Sequence, residues 1–254
     1  MKKILALLLA VLFVLAAFAG CGKTETPEAD PGEKTETLIM ATNASFPPYE
    51  YKEGSDFAGI DVEIAGEIAK KLGMELEIKD VEFESIIAGV QSGKFDMGMA
   101  GMTVTDERLQ NVNFSDTYAK GVQVIIVKEG STIAGPDDLA DKMIGVQQST
   151  TGHIYASGDY GEDHVTPYKT GNDAVQALVA GKVDAVIIDN EPAKSYVAAN
   201  EGLKILDTAY AEEDYAICIA KENTDLLDKI NAALAALTAD GTIPAIIEKY
   251  IPTK

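Results

Sequence analysis

Arg108 and Asp189 are the charged side chains whose places in the chain allow a definite chemistry. Arg108 closes the string Thr105-Asp106-Glu107-Arg108, which has the form of a helix start: a hydroxyl at the capping position and acids in the first turn. It lies just after Gly101-Met102-Thr103, the end of an apolar run. A guanidinium so placed can grip a carboxylate through two parallel hydrogen bonds, with backbone amides and the Thr103 hydroxyl completing the anion's surroundings. Asp189 ends a second apolar run, Val186-Ile187-Ile188, where a carboxylate can balance an ammonium. Together the two would match the poles of a zwitterion. Each alone also has a plainer reading. An arginine beside acids forms surface ion pairs worth only about 0–1 kcal/mol, and an aspartate at a strand end caps helices. On these residues by themselves both readings stay open.

Bond-making chemistry finds less support. His153 and His164 are the only histidines, and neither has a partner at helical or CxxC spacing, so no zinc site and no other cofactor is expected. No nucleophile with an adjacent base and no phosphate-binding glycine loop is present. Cys218, inside Tyr215-Ala216-Ile217-Cys218-Ile219-Ala220, reads as a buried, inert small hydrophobe.

The elements that must position these residues alternate between strand and helix, which implies an α/β architecture. Residues 38–42 form a short apolar run of the kind a buried strand shows. Residues 59–72 place Ile60, Ile64, Ile68 and Leu72 four apart, with Gly73 as the helix stop. Residues 75–79 alternate as a strand, 85–91 read as a helix, and 95–102 as a strand running into a glycine-containing loop. Thr224 is placed to cap a helix whose apolar face is Leu226, Leu227, Ile230, Leu234 and Leu237, ended by Gly241. A short internal echo, Gly93-Lys94-Phe95-Asp96 and Gly181-Lys182-Val183-Asp184, leads in each half from a helix into a strand. One of those strands runs to Ala100-Gly101-Met102-Thr103 and the other to Asp189. Ligands of open α/β sheets bind at the carboxyl ends of strands, so the two ends facing each other would line one cleft.

The N-terminus bears on the compartment. Lys2-Lys3 followed by the apolar stretch 4–18 reads as a signal peptide over residues 1–20, shorter than the roughly 20 apolar residues of a membrane span. Leu15-Ala16-Ala17-Phe18-Ala19-Gly20-Cys21 resembles a bacterial lipobox, with Phe18 where an aliphatic residue is usual, so Cys21 is the expected lipidation site and mature N-terminus. Residues 21–37 are polar and read as a disordered tether. The formal charge is −20, and loss of Lys2 and Lys3 makes it two units more negative. Such a surface repels nucleic acid and keeps the protein soluble; it does not point to a cationic ligand.

Ala41-Thr42-Asn43-Ala44-Ser45-Phe46-Pro47-Pro48-Tyr49-Glu50-Tyr51, Gly59-Ile60-Asp61-Val62-Glu63-Ile64 and Ala100-Gly101-Met102-Thr103-Val104-Thr105-Asp106-Glu107-Arg108 resemble, in sequence and order, the family 3 solute-binding proteins. The likeness continues through Phe114-Ser115-Asp116, Ile144-Gly145-Val146-Gln147-Gln148-Ser149-Thr150-Thr151-Gly152, the strand ending at Asp189, and the tail from Asp240 to Tyr250. It implies a type II periplasmic-binding-protein fold. One lobe would be residues 38–122 with 213–254, the second lobe residues 123–212, and the two hinge crossings would fall near 120–123 and 213–217. It also implies a site: Gly101, Thr103 and Arg108 on the ligand carboxylate, with Ala100 among the ligand-binding positions. Thr151 would help from the other lobe, Asp189 would hold the ammonium, and Asn43, Phe46, Phe83 and Gln147 would surround the side chain.

Phe46 and Phe83 read equally well as core aromatics or as rings on either side of a ligand stem. Asn43 stands where an aspartate is common, and a neutral amide both donates and accepts, so a strict preference for a cationic amino acid does not follow. His153 reads as a polar loop residue near the pocket. The function implied is capture of a free amino acid, polar in character, by a lipid-anchored monomer outside the membrane. Delivery would be to the permease and ATPase of an ABC importer, with no catalysis. The rivals are a secreted dehydratase of cyclohexadienyl acids on the same fold, which would need a general acid over the leaving group, and a sensor reporting to a receptor.

Overall fold

The computed structural model describes residues 35–252; the expected signal peptide, Cys21 and most of the tether lie outside them. Two sheets, each covered by helices on both faces, and a small three-stranded sheet make up the molecule. The chain begins with β1 (Thr37–Thr42), the small sheet β2 (Ser45–Phe46), β3 (Glu50–Glu53) and β4 (Asp56–Ala58), then α1 (Ile60–Leu72) and β5 (Glu75–Asp80). A 3-10 turn over Phe83–Ser85 runs into α2 (Ile86–Gln91), followed by β6 (Met97–Gly98), α3 (Asp106–Asn111) and β7 (Val112–Phe114).

The long β8 (Ala119–Lys128) opens the second sheet. It is followed by β9 (Ile144–Gln147), α4 (Thr151–Tyr160), β10 (Val165–Tyr168), α5 (Gly171–Val179), β11 (Ala185–Asp189), α6 (Asn190–Ala199), β12 (Leu203–Ile205) and β13 (Ala211–Tyr215). The chain then returns to the first sheet with β14 (Cys218–Ala220) and ends in α7 (Thr224–Ala239) and α8 (Thr242–Tyr250).

The first sheet has the order β5-β1-β6-β14-β7, and the second β10-β9-β11-β8-β12 with β13 also on β8. β1 is parallel to both neighbours, as β9 is to both of its own, because helices connect these strands across a face. Strands covered on both faces need apolar residues on both, and β8 supplies them by alternation. Val124 and Ile126 join the apolar cluster that contains α5 and α6, while Ile125 and Val127 point to the opposite cluster with Ala156 of α4. In α1 the four-residue spacing buries Ile60, Ile64 and Ile68 completely, each worth about 1.5–3 kcal/mol in transfer terms. Gly73, left-handed at φ 69°, ends it.

The internal echo is a matched pair of helix stops. After α2 and after α5 a glycine at φ 71° closes the helix, with Lys94 N–H donating to Gly89 O at 3.0 Å and Lys182 N–H to Ala177 O at 2.9 Å. The aspartate two residues beyond each lysine then accepts a backbone N–H at a neighbouring strand: Asp96 from Ile39 in β1 at 2.7 Å, and Asp184 from Met143, just before β9, at 2.9 Å. The motif therefore stitches helix to sheet once in each half.

Three local expectations change. The strand expected over 95–102 pairs only at Met97–Gly98, because Gly101 at φ 52° turns the chain out of the ladder. The helix expected from residue 85 begins at Ile86, after the 3-10 turn. Asn223 rather than Thr224 caps α7, its side chain accepting Leu226 N–H at 3.3 Å.

The chain crosses between the two large sheets along β8 and β13, which lie antiparallel with Ala119 opposite Tyr215 and Gln123 opposite Ala211. A Cβ on Gly121 would overlap the Tyr215 ring, so glycine is what lets that ring lie across β8. Gly121→Ala is expected to cost about 1–3 kcal/mol as overpacking, lowering the thermal midpoint by several degrees; a midpoint unchanged in thermal unfolding would show that the strands part freely.

Candidate binding site between the two sheets

Arg108 sits on the first turn of α3, placed there by Thr105, whose hydroxyl accepts the Arg108 N–H at 3.2 Å. The side chain is buried at 6% exposure. Its Nη1 donates to Thr103 O at 2.7 Å, its Nη2 donates to Ser149 O at 3.0 Å, and its guanidinium carbon lies 5.3 Å from the centre of the Phe83 ring. Two carbonyls and an aromatic face thus orient the group without supplying a counter-charge. A guanidinium has five N–H donors, so several remain for an anion. Burial draws Arg108 down from its ordinary value, opposed chiefly by the charge of Glu213, and a guanidinium stays protonated under any such shift.

Ser149, which supplies one carbonyl, is a non-glycine residue at φ 63° in the turn before α4. Thr150 caps that helix, accepting His153 N–H at 3.4 Å and donating its own hydroxyl to Gln147 O at 2.8 Å. The first-turn amides of a ten-residue helix therefore open toward the Arg108 side of the cavity, where an anion is favoured.

Asp189 is held quite differently. It occupies the N-cap position of α6, yet its side chain makes no capping bond. One oxygen instead accepts the Tyr215 hydroxyl and the other accepts Gln123 Nε2 at 2.7 Å. The same Gln123 amide donates to Glu213 at 2.9 Å, so two carboxylates flank one neutral group. Burial, followed by the Glu213 charge, pushes Asp189 up to about 8, against the Tyr215 and Gln123 bonds that favour its ionised form.

All ten residues expected at the site line one cavity. Ala100, Gly101, Thr103 and Arg108 stand on the wall of the first sheet, Thr151 and Asp189 on that of the second, and Asn43, Phe46, Phe83 and Gln147 complete the lining. The space outside the atoms, mouth included, is about 310 Å³. Gly101 is required twice over: its φ of 52° suits glycine, and a Cβ there would come within 3.0 Å of the Phe46 ring. The lobes meet over this space. Gln147 Nε2 donates to Asn43 Oδ1 at 2.9 Å, Lys169 pairs with Glu82 at 3.2 Å, and Gln148 bonds Glu84.

Sequence reasoning missed Glu50 and Thr150, which also line the cavity, and the supports Gln123 and Tyr215. Gln123 carried a readable signal: a polar residue inside Val122-Gln123-Val124-Ile125-Ile126-Val127, fully buried, must have a polar reason to be there. His153 lies within α4 and is not part of the lining; its Nδ1 accepts Ser149 N–H at 3.2 Å. Cys218 is wholly buried and its thiol is pushed up to about 12 by burial, consistent with an inert core residue.

Two α/β lobes joined by paired crossing strands, with a buried guanidinium and a buried carboxyl group facing a shared cavity, define a solute-binding protein of the periplasmic type. The chain belongs to the bacterial extracellular solute-binding proteins, family 3, whose family model matches residues 38–253. The arginine-binding extracellular protein ArtP of Bacillus subtilis (strain 168) is 35% identical over 98% of each chain. The solved structure of an ancestral arginine-binding protein bound to glutamine is 39% identical, with a TM-score of 0.82 over 87% of this chain and 100% of that one. An ancestral amino acid-binding protein described as a precursor of cyclohexadienyl dehydratase is 31% identical, with a TM-score of 0.78 over 84% and 95%.

A carboxyl raised by folding binds its proton more tightly in the native than in the unfolded state, so between the ordinary aspartate value and about 8 the native state loses stability as pH rises. Asp189→Asn is therefore expected to raise the thermal midpoint of the free protein, by more at pH 8 than at pH 5. Unfolding curves across that range check it, and an advantage that did not grow with pH would contradict the shift.

Proposed function

We propose that the protein captures a free, polar amino acid outside the membrane and delivers it to the permease and ATPase of an ABC importer. One observation carries this reading: the Arg108 guanidinium and the Asp189 carboxyl, which a bound cation would draw into its ionised form, are buried, not bonded to each other, and face a single small cavity from two walls. The α-carboxylate would take the free Arg108 donors, with Gly101, Thr103 and the α4 amides at Thr151 around it. The α-ammonium would lie on Asp189, and the side chain would run between Phe46 and Phe83 toward the Asn43–Gln147 amide pair. The names of the relatives, which bind arginine or other amino acids, support the class of ligand.

The lobes, residues 38–122 with 213–254 and residues 123–212, would rock about β8 and β13, and the ligand would favour closure because only the closed form reaches it from both walls. Lipidation at Cys21 would hold the monomer at the cell membrane beside its permease. The role is binding and not catalysis. Incubation with cyclohexadienyl acids should yield no aromatic product.

A thermal-shift screen of the twenty amino acids should raise the midpoint with ligand concentration for a polar subset, because a ligand that binds only the folded form stabilises it. Arg108→Ala should abolish most of that shift, weakening binding by a hundredfold or so as expected for loss of a charged, buried contact of about 3 kcal/mol. Asp189→Asn should weaken amino acids far more than matching acids that lack the amine. Equal losses for the two ligand types, measured by calorimetry, would remove Asp189 from the ammonium role.

A further inference from the structure

Glu50 and Asp61 are both buried, at 1% and 0% exposure, and neither belongs to an ion pair. The sequence brings them together: Ile60 N–H donates to Pro48 O at 3.0 Å and Asp61 N–H to Tyr49 O at 2.9 Å, tying the start of α1 to the strand that carries Glu50. One Asp61 oxygen is fully used, accepting Gly101 N–H at 2.9 Å and the Tyr118 hydroxyl at 2.9 Å. The other, Oδ1, and Glu50 Oε2 are both buried without a protein partner, and the two side chains act directly on each other's protonation. Two neighbouring buried carboxylates repel unless one holds a proton, and a single proton can serve both.

The groups around the pair settle where the charge can rest. Glu50 is within electrostatic range of Asp61 of α1, Asp189 at the end of β11, Tyr49, Tyr118 and, from α6, Tyr196, all of them acidic or neutral. Burial and then the Asp61 charge hold Glu50 well above the ordinary carboxylate range. Asp61, also raised by burial, is drawn back by its bonds from Gly101 and Tyr118. Glu50 lines the ligand cavity and Asp61 does not.

We infer that Glu50 and Asp61 share one proton, donated by Glu50, and that the pair is a positioning and specificity element of the site. Its negative charge rests on Asp61, where it fixes the Gly101 turn, and the Glu50 face of the cavity meets the ligand as a neutral acid. Asp189 is then the one carboxylate in the cavity lining that is available to balance a ligand cation, and a cationic side chain gains no ion pair from Glu50. The part concerning ligand rests on amino-acid capture; the shared proton does not.

The test compares Glu50→Gln, which keeps a donor toward Asp61, with Glu50→Ala. A proton held on Glu50 only in the folded state costs the wild type stability as pH rises above the ordinary glutamate value, so the midpoint of Glu50→Gln should climb relative to wild type between about pH 5 and pH 8. Infrared spectra at neutral pH should show a protonated-carboxyl C=O component that Glu50→Gln removes and Asp189→Asn leaves in place. With L-arginine and L-glutamine as ligands, Glu50→Ala should bind at least about tenfold more weakly than Glu50→Gln. A midpoint difference that does not change with pH, with no infrared component lost in Glu50→Gln, overturns the shared proton. If neither amino acid binds the wild type, the reading of a polar amino-acid site fails instead, and the two ligand-free measurements still decide the pair.

Discussion

The site depends on keeping a guanidinium and a carboxyl group out of water without bonding them to each other. An isolated buried ion is costly, and the usual remedy is a direct partner. Arg108 and Asp189 are both more than nine-tenths buried, yet each is satisfied by neutral groups: two carbonyls and a ring face for the arginine, a phenol and an amide for the aspartate. Both groups are oriented, and neither has a direct ionic partner; Asp189 gains its full charge only when a cation meets it. On the proposed reading, a zwitterion supplies the missing counter-charges to both at once, in a cavity where each contact is stronger than in water.

The same neutral groups connect the site to the crossings. Gln123 lies on β8 and Tyr215 on β13, and both touch Asp189. Tyr215 is also bridged to Thr103, whose carbonyl holds Arg108. The supports of the two charges thus converge on the pair of strands about which the lobes would move, and Gly121 is small so that Tyr215 can reach across. A displacement of one strand against the other would disturb the Asp189 bonds directly, so closure and the ionic state of the site are linked by geometry.

Much of this was legible in the sequence for plain reasons. The four-residue spacing of α1, the Thr105 cap and the apolar run ending at Asp189 report local patterns, and local patterns depend on nearby residues. The likeness to a family then gathered ten scattered positions that the fold places around one cavity. What escaped depends on long-range pairing. Nothing local in Tyr49-Glu50-Tyr51 marks Glu50 as buried; the bonds between residues 48–49 and the start of α1 hold its strand against that helix. The strand expected over 95–102 gives way before Gly101, whose left-handed turn is held by a bond from its N–H to Asp61, forty residues away. Tyr215 could not be placed until β8 and β13 were known to pair.

The far end of the cavity differs from the charged end in kind. Asn43 accepts from Gln147 at 2.9 Å and from the Ser45 hydroxyl at 3.0 Å, and it donates to Val81 O at 2.8 Å. Gln147 also reaches Lys169 O at 3.3 Å, leaving its own carbonyl oxygen as the principal open acceptor. Such an end offers hydrogen bonds without a fixed charge, and with Glu50 neutral on the adjoining wall it adds no negative charge either. Discrimination among side chains there would come from unpaired polar groups and fit, effects of about 1–3 kcal/mol. On the proposed reading the charged end, by contrast, would select for the amino-acid backbone itself. A site divided in this way is strict about the ligand's class and more tolerant of its side chain.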